Sequence, residues 1–584
     1  MKRCPQCNRV ETDETLKFCR VDGATLVDES APLAGGTGSA QFGAAQDSSE
    51  VHTSILPHRT DANINRPTER TSVLTPHPPA ATGALAKRKR HKTLVVVAII
   101  AVAAIAAVTI VFVLATFSRK SSAAIDSIAV LPFENRSGNS DSDYLADGLA
   151  ESLIYRLSQL PNLKVSPTSS VRRYKGKEID AQKIGAELGV SAVMSGHMVQ
   201  RGDNLAISVE LVDARTNKLI WGEQYERKLS ELLTTQREMA SAIADKLQLK
   251  LASNDAKGIT KRYTESNEAY QLYLKGRFYW NKRTVDGLKQ AATYYQQAIE
   301  KDPEFALAYS GLAETYVLFP NYSVAAPKDS MPLSKAAALK ALELDDSIAE
   351  AHAALGTYLS GYGWDQLAAE RELRRAIELK PNYATAYHWL AISYAFSQRT
   401  DEAIATAHRA EELDPLSLII SADTAFDLIL LRRYDDAIAQ AQKTLKLDPN
   451  FYYIHYLLGW AYIQKGMYSQ AIAECRRSIE LNPEPWGKGL LAVALAKSGG
   501  RAEAVKLRDE LKSEIASRYV ASYFVAIADT ALSEKDEALT ALEKDFAERS
   551  THFSWIPIDP LFDDLRTDPR WAALVQRVAA SKID

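Results

Sequence analysis

The chain has 584 residues, with 70 Lys and Arg side chains against 73 Asp and Glu and a formal net charge of −3. That length calls for several domains, and the near balance of charge excludes a protein that holds nucleic acid by bulk electrostatics. Of four cysteines, three lie within the first nineteen residues and the fourth stands alone at Cys475, which excludes a disulfide framework over most of the chain.

The N-terminus carries Cys4-Pro5-Gln6-Cys7, and eleven residues separate Cys7 from Cys19, which opens Cys19-Arg20-Val21-Asp22-Gly23. A Cys-x-x-Cys turn directs two thiolates at one centre, and a second such knuckle completes a tetrahedral zinc site. The segment 1–27 resembles a short zinc ribbon in which Asp22 stands where the fourth cysteine would be. The resemblance implies a structural zinc on Cys4, Cys7, Cys19 and Asp22. A water in the fourth place and a ribbon without metal are the alternatives. No histidine or nearby general base accompanies the site, so catalytic zinc is not expected.

Residues 28–93 are rich in Ala, Gly, Ser, Thr and Pro, too poor in large apolar side chains to offset their ordering entropy, and read as a disordered tether. The tether ends on Lys87-Arg88-Lys89-Arg90-His91-Lys92. Leu94–Phe117 follows, uncharged, with only Thr109 and Thr116 polar, and its twenty-four residues are long enough for a transmembrane helix. Five Lys or Arg residues precede it and two, Arg119 and Lys120, follow. By the positive-inside bias this predicts a single-pass membrane protein with its N-terminus in the cytoplasm and the bulk of the chain outside it.

Beyond the span the period changes. Ser127–Phe133 is an apolar β-rich run, and Leu145, Leu149, Leu153, Leu157 and Leu160 mark one side of a helix. A short strand at Leu163–Ser166 and a helix at Ala181–Leu188 come next. Three alternating runs follow, Ala192–Gln200, Leu205–Asp213 and Leu219–Arg227, an antiparallel meander, before a long helix predicted over Leu229–Leu251. The order βαβαβββα predicts an α/β domain over 124–253.

Proline then falls at 381, 415, 449 and 483, a step of 34 residues. Twelve residues before each stand Ala369, Ala403, Ala437 and Ala471; five before stand Ala376, Ala410, Thr444 and Ser478. Small side chains seven apart lie on one helical stripe, where another helix can approach closely. Each period therefore reads as two antiparallel amphipathic helices closed by a proline that cannot continue the second. The pattern extends upstream to Pro303 and Asp346, with nine extra residues near Phe319–Pro332, giving six units, and two weaker helix pairs follow at Leu490–Lys512 and Tyr519–Ser550. The region predicted is 265–550, with a capping segment at 551–584. Cys475 takes the inner second-helix position held by Leu373, Ala407 and Ala441, and reads as core filler.

By period and residue type these units resemble the tetratricopeptide repeat. The preceding domain, with Ser127–Asn135, Tyr144–Leu149, Ile184-Gly185-x-Glu187-Leu188-Gly189 and Leu211-x-Asp213-Ala214, resembles the TolB amino-terminal-like domain of bacterial envelope and signalling proteins. Asp559-Pro560-Leu561-Phe562-Asp563 resembles the tail of such repeat proteins. The resemblance implies an architecture of membrane span, α/β domain and repeats, and carries no activity with it.

No kinase loop, Walker motif, Gly-x-Ser-x-Gly or His-Glu-x-x-His occurs. Ser195 and His197 lie in a strand beside Gly196 without forming a nucleophile–base pair, and Asp143 and Asp147 read as helix N-terminal acids. The expectation is binding without catalysis: protein or peptide partners in a groove lined by first helices, touching Asn382, Tyr387, His388, Asn450, Tyr452 and His455, with no nucleic acid and no small-molecule substrate. The alternative is a transmembrane regulator that couples the outer region to the zinc-ribbon head.

Overall fold

The computed structural model describes residues 125–582 apart from Pro161 and 248–257, together with the backbone of six residues near the N-terminus. The chain divides into two units, 1–102 and 103–584. In the first, the described residues form three two-residue strands, β1 (Lys2–Arg3), β2 (Val10–Glu11) and β3 (Val27–Asp28). Strand β1 is central and pairs antiparallel with both neighbours, Lys2 opposite Glu11 and Asp28. Cys4, Cys7, Cys19 and Asp22, the tether and the apolar segment 94–117 all lie outside the described residues. Among the described residues no helix is long and apolar enough to cross a membrane.

In the second unit, Ser127–Val130 (β4) is fully buried and pairs parallel with Lys164–Val165 (β6) and with Ala192–Arg201 (β7). Glu134–Asn135 (β5) also runs parallel to β7. The meander continues through Asn204–Asp213 (β8) and Lys218–Lys228 (β9), giving the order β6-β4-β7-β8-β9. Alternation on β8 buries Leu205, Ile207, Val209 and Leu211, the period-2 signature of a half-buried strand. The turn between β7 and β8 places Gly202 at φ 58°, where a Cβ would be strained.

Three helices surround the sheet: α1 (Asp143–Leu157), α3 (Ala181–Leu188) and α4 (Leu232–Lys246), with a single turn, α2 (Thr168–Val171), between the first two. Asp180 caps α3 through its side chain and Gly189 ends it in the left-handed region. The long helix expected at Leu229–Leu251 is a 3₁₀ turn followed by α4, with the positions from 248 outside the described residues.

Eight helix pairs follow, each a first helix (A) and a second helix (B). Repeat 1 is Asn267–Trp280 with Val285–Lys301, repeat 2 Ala306–Tyr316 with Pro327–Leu344, and repeat 3 Ala349–Tyr358 with Gln366–Leu379. Repeats 4 and 5 are Ala384–Phe396 with Thr400–Leu413 and Leu418–Leu430 with Tyr434–Leu447. Repeats 6, 7 and 8 begin with Tyr452–Gln464, Pro485–Lys497 and Tyr523–Ala531; their second helices are Tyr468–Leu481, Arg501–Ser517 and Lys535–Ala547. The extra residues in repeat 2 divide between a longer A–B turn and an 18-residue helix B that contains Pro332.

The A–B turns repeat a backbone feature as well as a sequence. Trp364, Gln398, Arg432 and Gly466 all have positive φ and stand 34 residues apart. Only one of these four is glycine, so the others bear a cost of about 1–2 kcal/mol that packing must offset. Successive A helices pack on one another, whereas successive B helices are held apart, so the array curves with its A helices inside.

The α/β domain and the repeats are one packed body. Helix α1 carries two stripes. Leu145, Leu149, Leu153 and Leu157 are buried toward the sheet, while Gly148, Glu151, Ser152 and Tyr155, at i, i+3, i+4 and i+7, line the repeat side. A Cβ on Gly148 would stand 3.0 Å from Leu274 of repeat 1, so glycine sets the approach of the two helices. A single apolar cluster runs from Ile128 and Leu153 through Tyr270 and Leu274 to Phe305, Leu307, Ile348 and Ala351 of repeats 1 to 3.

Small residues set the repeat spacing too. A Cβ on Gly311 would lie 2.6 Å from the fully buried Tyr295 ring, and one on Gly459 would lie 2.5 Å from Cys475 Sγ. Cys475 is fully buried, and burial pushes its thiol pKa up, consistent with a packing role. Gly311→Ala is expected to destabilise the protein by about 1–3 kcal/mol through overpacking, read from the midpoint of urea unfolding.

Candidate partner-binding surface

An open groove along the A helices was the expectation; in the structure both ends of the inner surface are filled by the chain itself. At the N-terminal end α1 lies against the A helices of repeats 1 to 3. Arg277 bridges Glu151 of α1 at 2.6 Å and Glu314 of repeat 2 at 3.0 Å, and Asn281 donates to the same Glu151 at 2.7 Å. Burial raises the Glu314 carboxyl, and the Arg277 guanidinium opposes that shift. Beside them Lys380 pairs with Glu350 at 2.8 Å and sits over the Tyr155 ring. Further along, the Ser169 and Ser170 hydroxyls donate to Asp414, and Asn382 Nδ2 donates to the Leu163 carbonyl at 3.3 Å.

At the other end the chain returns after repeat 8. Three 3₁₀ turns, Thr551–Ser554, Ile556–Ile558 and Pro560–Leu565, lead to a last helix, Pro569–Ala580. Trp555 packs against Phe396 of repeat 4 at 5.3 Å, Phe426 of repeat 5 at 5.5 Å and Tyr523 of repeat 8. Phe553 lies 5.8 Å from Trp364 of repeat 3, and Asp563 accepts both guanidinium nitrogens of Arg432 at 2.7 Å. A segment this short touches repeats 3, 4, 5 and 8 together only from inside the curve. Phe553, Asp559, Phe562 and Leu565 are essentially inaccessible, so the segment is core rather than a loose cover.

Between the two filled ends runs a half-buried strip on the A helices of repeats 4 to 7. His388 Nε2 stands 2.8 Å from Asp423 Oδ2, and the Tyr453 hydroxyl donates to the other oxygen of Asp423. The Tyr453 and Tyr456 rings are 4.9 Å apart, and Tyr456 stacks on Trp486 at 5.3 Å with the planes 4° from parallel. Trp486 then meets Phe524 edge-on. One turn beyond Asp423, Asp427 is buried with an unpartnered Oδ1, and burial and the charge of Asp423 push its carboxyl well up. Tyr322, from the long turn of repeat 2, lies within electrostatic reach of Asp423 and Glu484.

Of the six residues singled out in the sequence, His388 lies on this strip, where it pairs with Asp423. Tyr452 is half-buried, with its ring near Asn482 and Glu484. Tyr387 packs against Ala410, Leu413 and Ile420. The ring of His455 is held by Glu474 at 2.7 Å and the Pro449 carbonyl at 3.0 Å, facing its own helix B. Asn382 bonds to the α/β domain, and Asn450, exposed, accepts from Arg477 at 2.8 Å. Tyr387 and His455 share one repeat position, six residues after the proline, which the 3.6-residue turn aims at the second helix. Inner positions are four, seven or eight, and eleven residues after it, as Tyr453, Tyr456 and Trp460 show. Asp423, Tyr453, Tyr456 and Trp486 were missed; an i, i+3, i+7 count begun four residues after the proline would have found the tyrosines.

The residues weighed for catalysis are apart. His197 pairs in register with Ser208 and Glu134, Ser195 with Glu210. Asp147 is paired with Lys175 at 2.6 Å, and Asp143 accepts from Asn135 at 2.7 Å. Among the described residues no group of three His, Cys, Asp or Glu side chains is placed to hold a metal ion.

This geometry defines a tetratricopeptide-repeat superhelix with an α/β domain packed against it, and comparison with known proteins agrees. Residues 284–329 and 427–484 match the family model for the tetratricopeptide repeat, and residues 123–243 match that for the second domain of HilA/YgeH-like transcriptional regulators. The putative adenylate cyclase 3 of Rhizobium meliloti is 31% identical over 235 residues, 40% of either chain. The transcriptional regulator HilA of Salmonella typhimurium is 25% identical over 297 residues, 50% of this chain and 51% of HilA. The chain thus spans about half or less of the length of these curated relatives. Among solved structures, YrrB, described as a TPR protein with an unusual peptide-binding site, is 21% identical and aligns over 32% of this chain and 93% of its own, with a TM-score of 0.23. Yeast Tom70 is 15% identical over 60% of this chain and 82% of its own, with a TM-score of 0.36.

The closing segment makes stability depend on pH. Asp559 accepts from the Tyr523 hydroxyl at 2.8 Å and the Leu561 N–H at 2.8 Å, yet burial pushes its carboxyl up to about 7. The folded state therefore keeps this proton where the unfolded chain, near the ordinary value of 3.8, has released it. Its contribution is fully present below about pH 4 and is lost as pH rises toward about 7. Buried His552, pushed down to about 3, acts with the opposite sign, and Asp545, also raised to about 7, with the same sign. Comparison with Asp559→Asn isolates the one group: the melting temperature of the variant relative to the wild type is expected to rise between about pH 4 and 7.

Proposed function

We propose that this protein is a membrane-anchored interaction scaffold that binds a protein or peptide segment along the half-buried strip of repeats 4 to 7, without catalysis. The observation that carries the reading is the strip itself. Asp423, Tyr453 and Trp486 remain partly accessible on an inner surface whose two ends are filled by the chain. Aromatic faces beside a carboxylate offer an incoming segment both apolar area and a hydrogen-bond acceptor, and an already ordered surface costs little entropy to use. Anchoring rests on Leu94–Phe117 and its flanking charges, which favour a cytoplasmic N-terminus and an extracytoplasmic repeat region. The reading of 124–253 as a TolB amino-terminal-like domain, with its envelope setting, belongs to the same proposal.

The test follows from the shared core. Deleting the repeats would strip cover from α1, so substitutions serve better than truncation. Crosslinked capture from membranes with Asp423→Asn combined with Tyr453→Phe is expected to lose the partners captured by the wild type, with the fold retained by circular dichroism. Partners retained by the variant would remove the strip from consideration.

A second reading, a transmembrane regulator with the head as its output, is favoured by the relatives, whose names are those of a transcriptional regulator and a putative adenylate cyclase. That head would hold a zinc on Cys4, Cys7, Cys19 and Asp22. The purified full-length chain is expected to carry stoichiometric zinc by elemental analysis, and Cys4→Ser to lose it while the repeats melt unchanged.

A further inference from the structure

Where the α/β domain hands over to the repeats, three arginines from three separate elements line one cavity of about 60 Å³. Arg156 closes α1, Arg237 lies in the second turn of α4, and Arg262 precedes the first helix of repeat 1. Glu265 pairs with Arg262 through both oxygens at 2.6 Å, and among the described residues no other acid lines the space, leaving two positive charges in excess there.

Among the described residues neither remaining guanidinium has a carboxylate partner. Arg156 is 3% exposed; its Nη1 donates to the carbonyls of Ile259 and Lys261 at 2.8 and 3.0 Å, and its Nε is buried with no acceptor. Arg237 donates only to the Leu233 carbonyl at 3.3 Å and the Thr234 hydroxyl at 3.1 Å. Burial, and after it the nearby charges of Arg262 and Arg156, push its pKa down. A buried, unpaired guanidinium is costly, and an anion that accepts from it removes that cost.

The rest of the lining suits an oxyanion. Ser230 and Thr234 contribute hydroxyls, whereas that of Thr264 donates to Asp302, and the space begins at the N-terminus of the 14-residue first helix, which Ser266 caps. Asn267 Oδ1 is buried there without a donor; turning that amide over presents its NH₂ to the same space. The volume holds roughly four to six water-sized groups, enough for a tetrahedral oxyanion and too small for a nucleotide.

We infer that Arg156, Arg237 and Arg262 form a binding site for a phosphate-class oxyanion, free or as the terminal group of a small phosphomonoester, at the junction of the α/β domain and the repeats. Because its ligands come from α1, α4 and the residues just before repeat 1, a bound anion ties together the segments on which the junction depends.

The test is isothermal titration of the full-length chain with sodium phosphate, against sodium chloride at equal ionic strength. Saturable binding is expected for phosphate only. Arg237→Gln is expected to weaken it roughly tenfold or more, the scale of one charge-assisted hydrogen bond. Glu265→Gln, which frees the exposed Arg262, is expected to tighten binding severalfold, a direction that damage to the fold would not produce. Glycerol 1-phosphate separates the sources: tighter binding than inorganic phosphate marks a phosphomonoester as the ligand, equal or weaker binding the free anion. No phosphate-specific binding, or Arg237→Gln and Glu265→Gln both binding as the wild type does, would overturn the assignment.

Discussion

Helix α1 serves two surfaces at once. A helix in an α/β layer ordinarily buries one stripe against the sheet and leaves the other to solvent. Here the second stripe, Gly148, Glu151, Ser152 and Tyr155, is buried against the first helices of the repeats. Glycine at 148 lets the helix axes approach, and Glu151 then meets Arg277 and Asn281 where water is largely excluded. Removing Arg277 would leave both Glu151 and Glu314 without their cation, so the contact specifies one arrangement of the two regions rather than simply adding stability. The continuity of the apolar cluster from Ile128 to Ala351 follows from that contact.

The closing segment obeys the same logic at the other end. A repeat array exposes the unpaired face of its last helix pair, and a polar cap is one solution. This chain instead folds its tail inward, and Trp555, Phe553 and Phe562 fill the space between repeats that are not neighbours in sequence. The strained turn at Trp364, with φ 55°, is held by Phe546 and Phe553 stacked against its ring. What remains partly accessible inside the curve is Asp423, Tyr453 and Trp486, set among buried members of the strip such as His388 and Tyr456. Its position is thus fixed by what the chain has already occupied as much as by the residues that form it.

The repeat itself was fully legible. The 34-residue step, the small-residue stripe and the helix pairs all arise from local periodicity, and each repeat contacts its neighbours in the same way. The nine extra residues were also visible, although not their division between a longer turn and a longer helix. The strip was only partly legible. His388 was found, but Tyr387 and His455 stand one position around the helix from the inner face, and a shift of 100° turns a groove residue into one that packs on helix B. Asp423 and Tyr453 carried no signal as isolated residues, because their pairing joins repeats 5 and 6 across space.

By itself, then, the sequence determined the repeating unit, the antiparallel meander and the small residues that let helices approach, since these depend on contacts between residues close in the chain or one repeat apart. Only the tertiary structure decided that α1 and the tail fill the inner surface. Those contacts, Glu151 with Arg277, Asp414 with Ser170, and Trp555 with Phe396, join residues more than a hundred positions apart. They are set by where the curve of the superhelix brings each repeat. That curve is the sum of many small rotations between neighbours, and no single stretch of sequence encodes the sum.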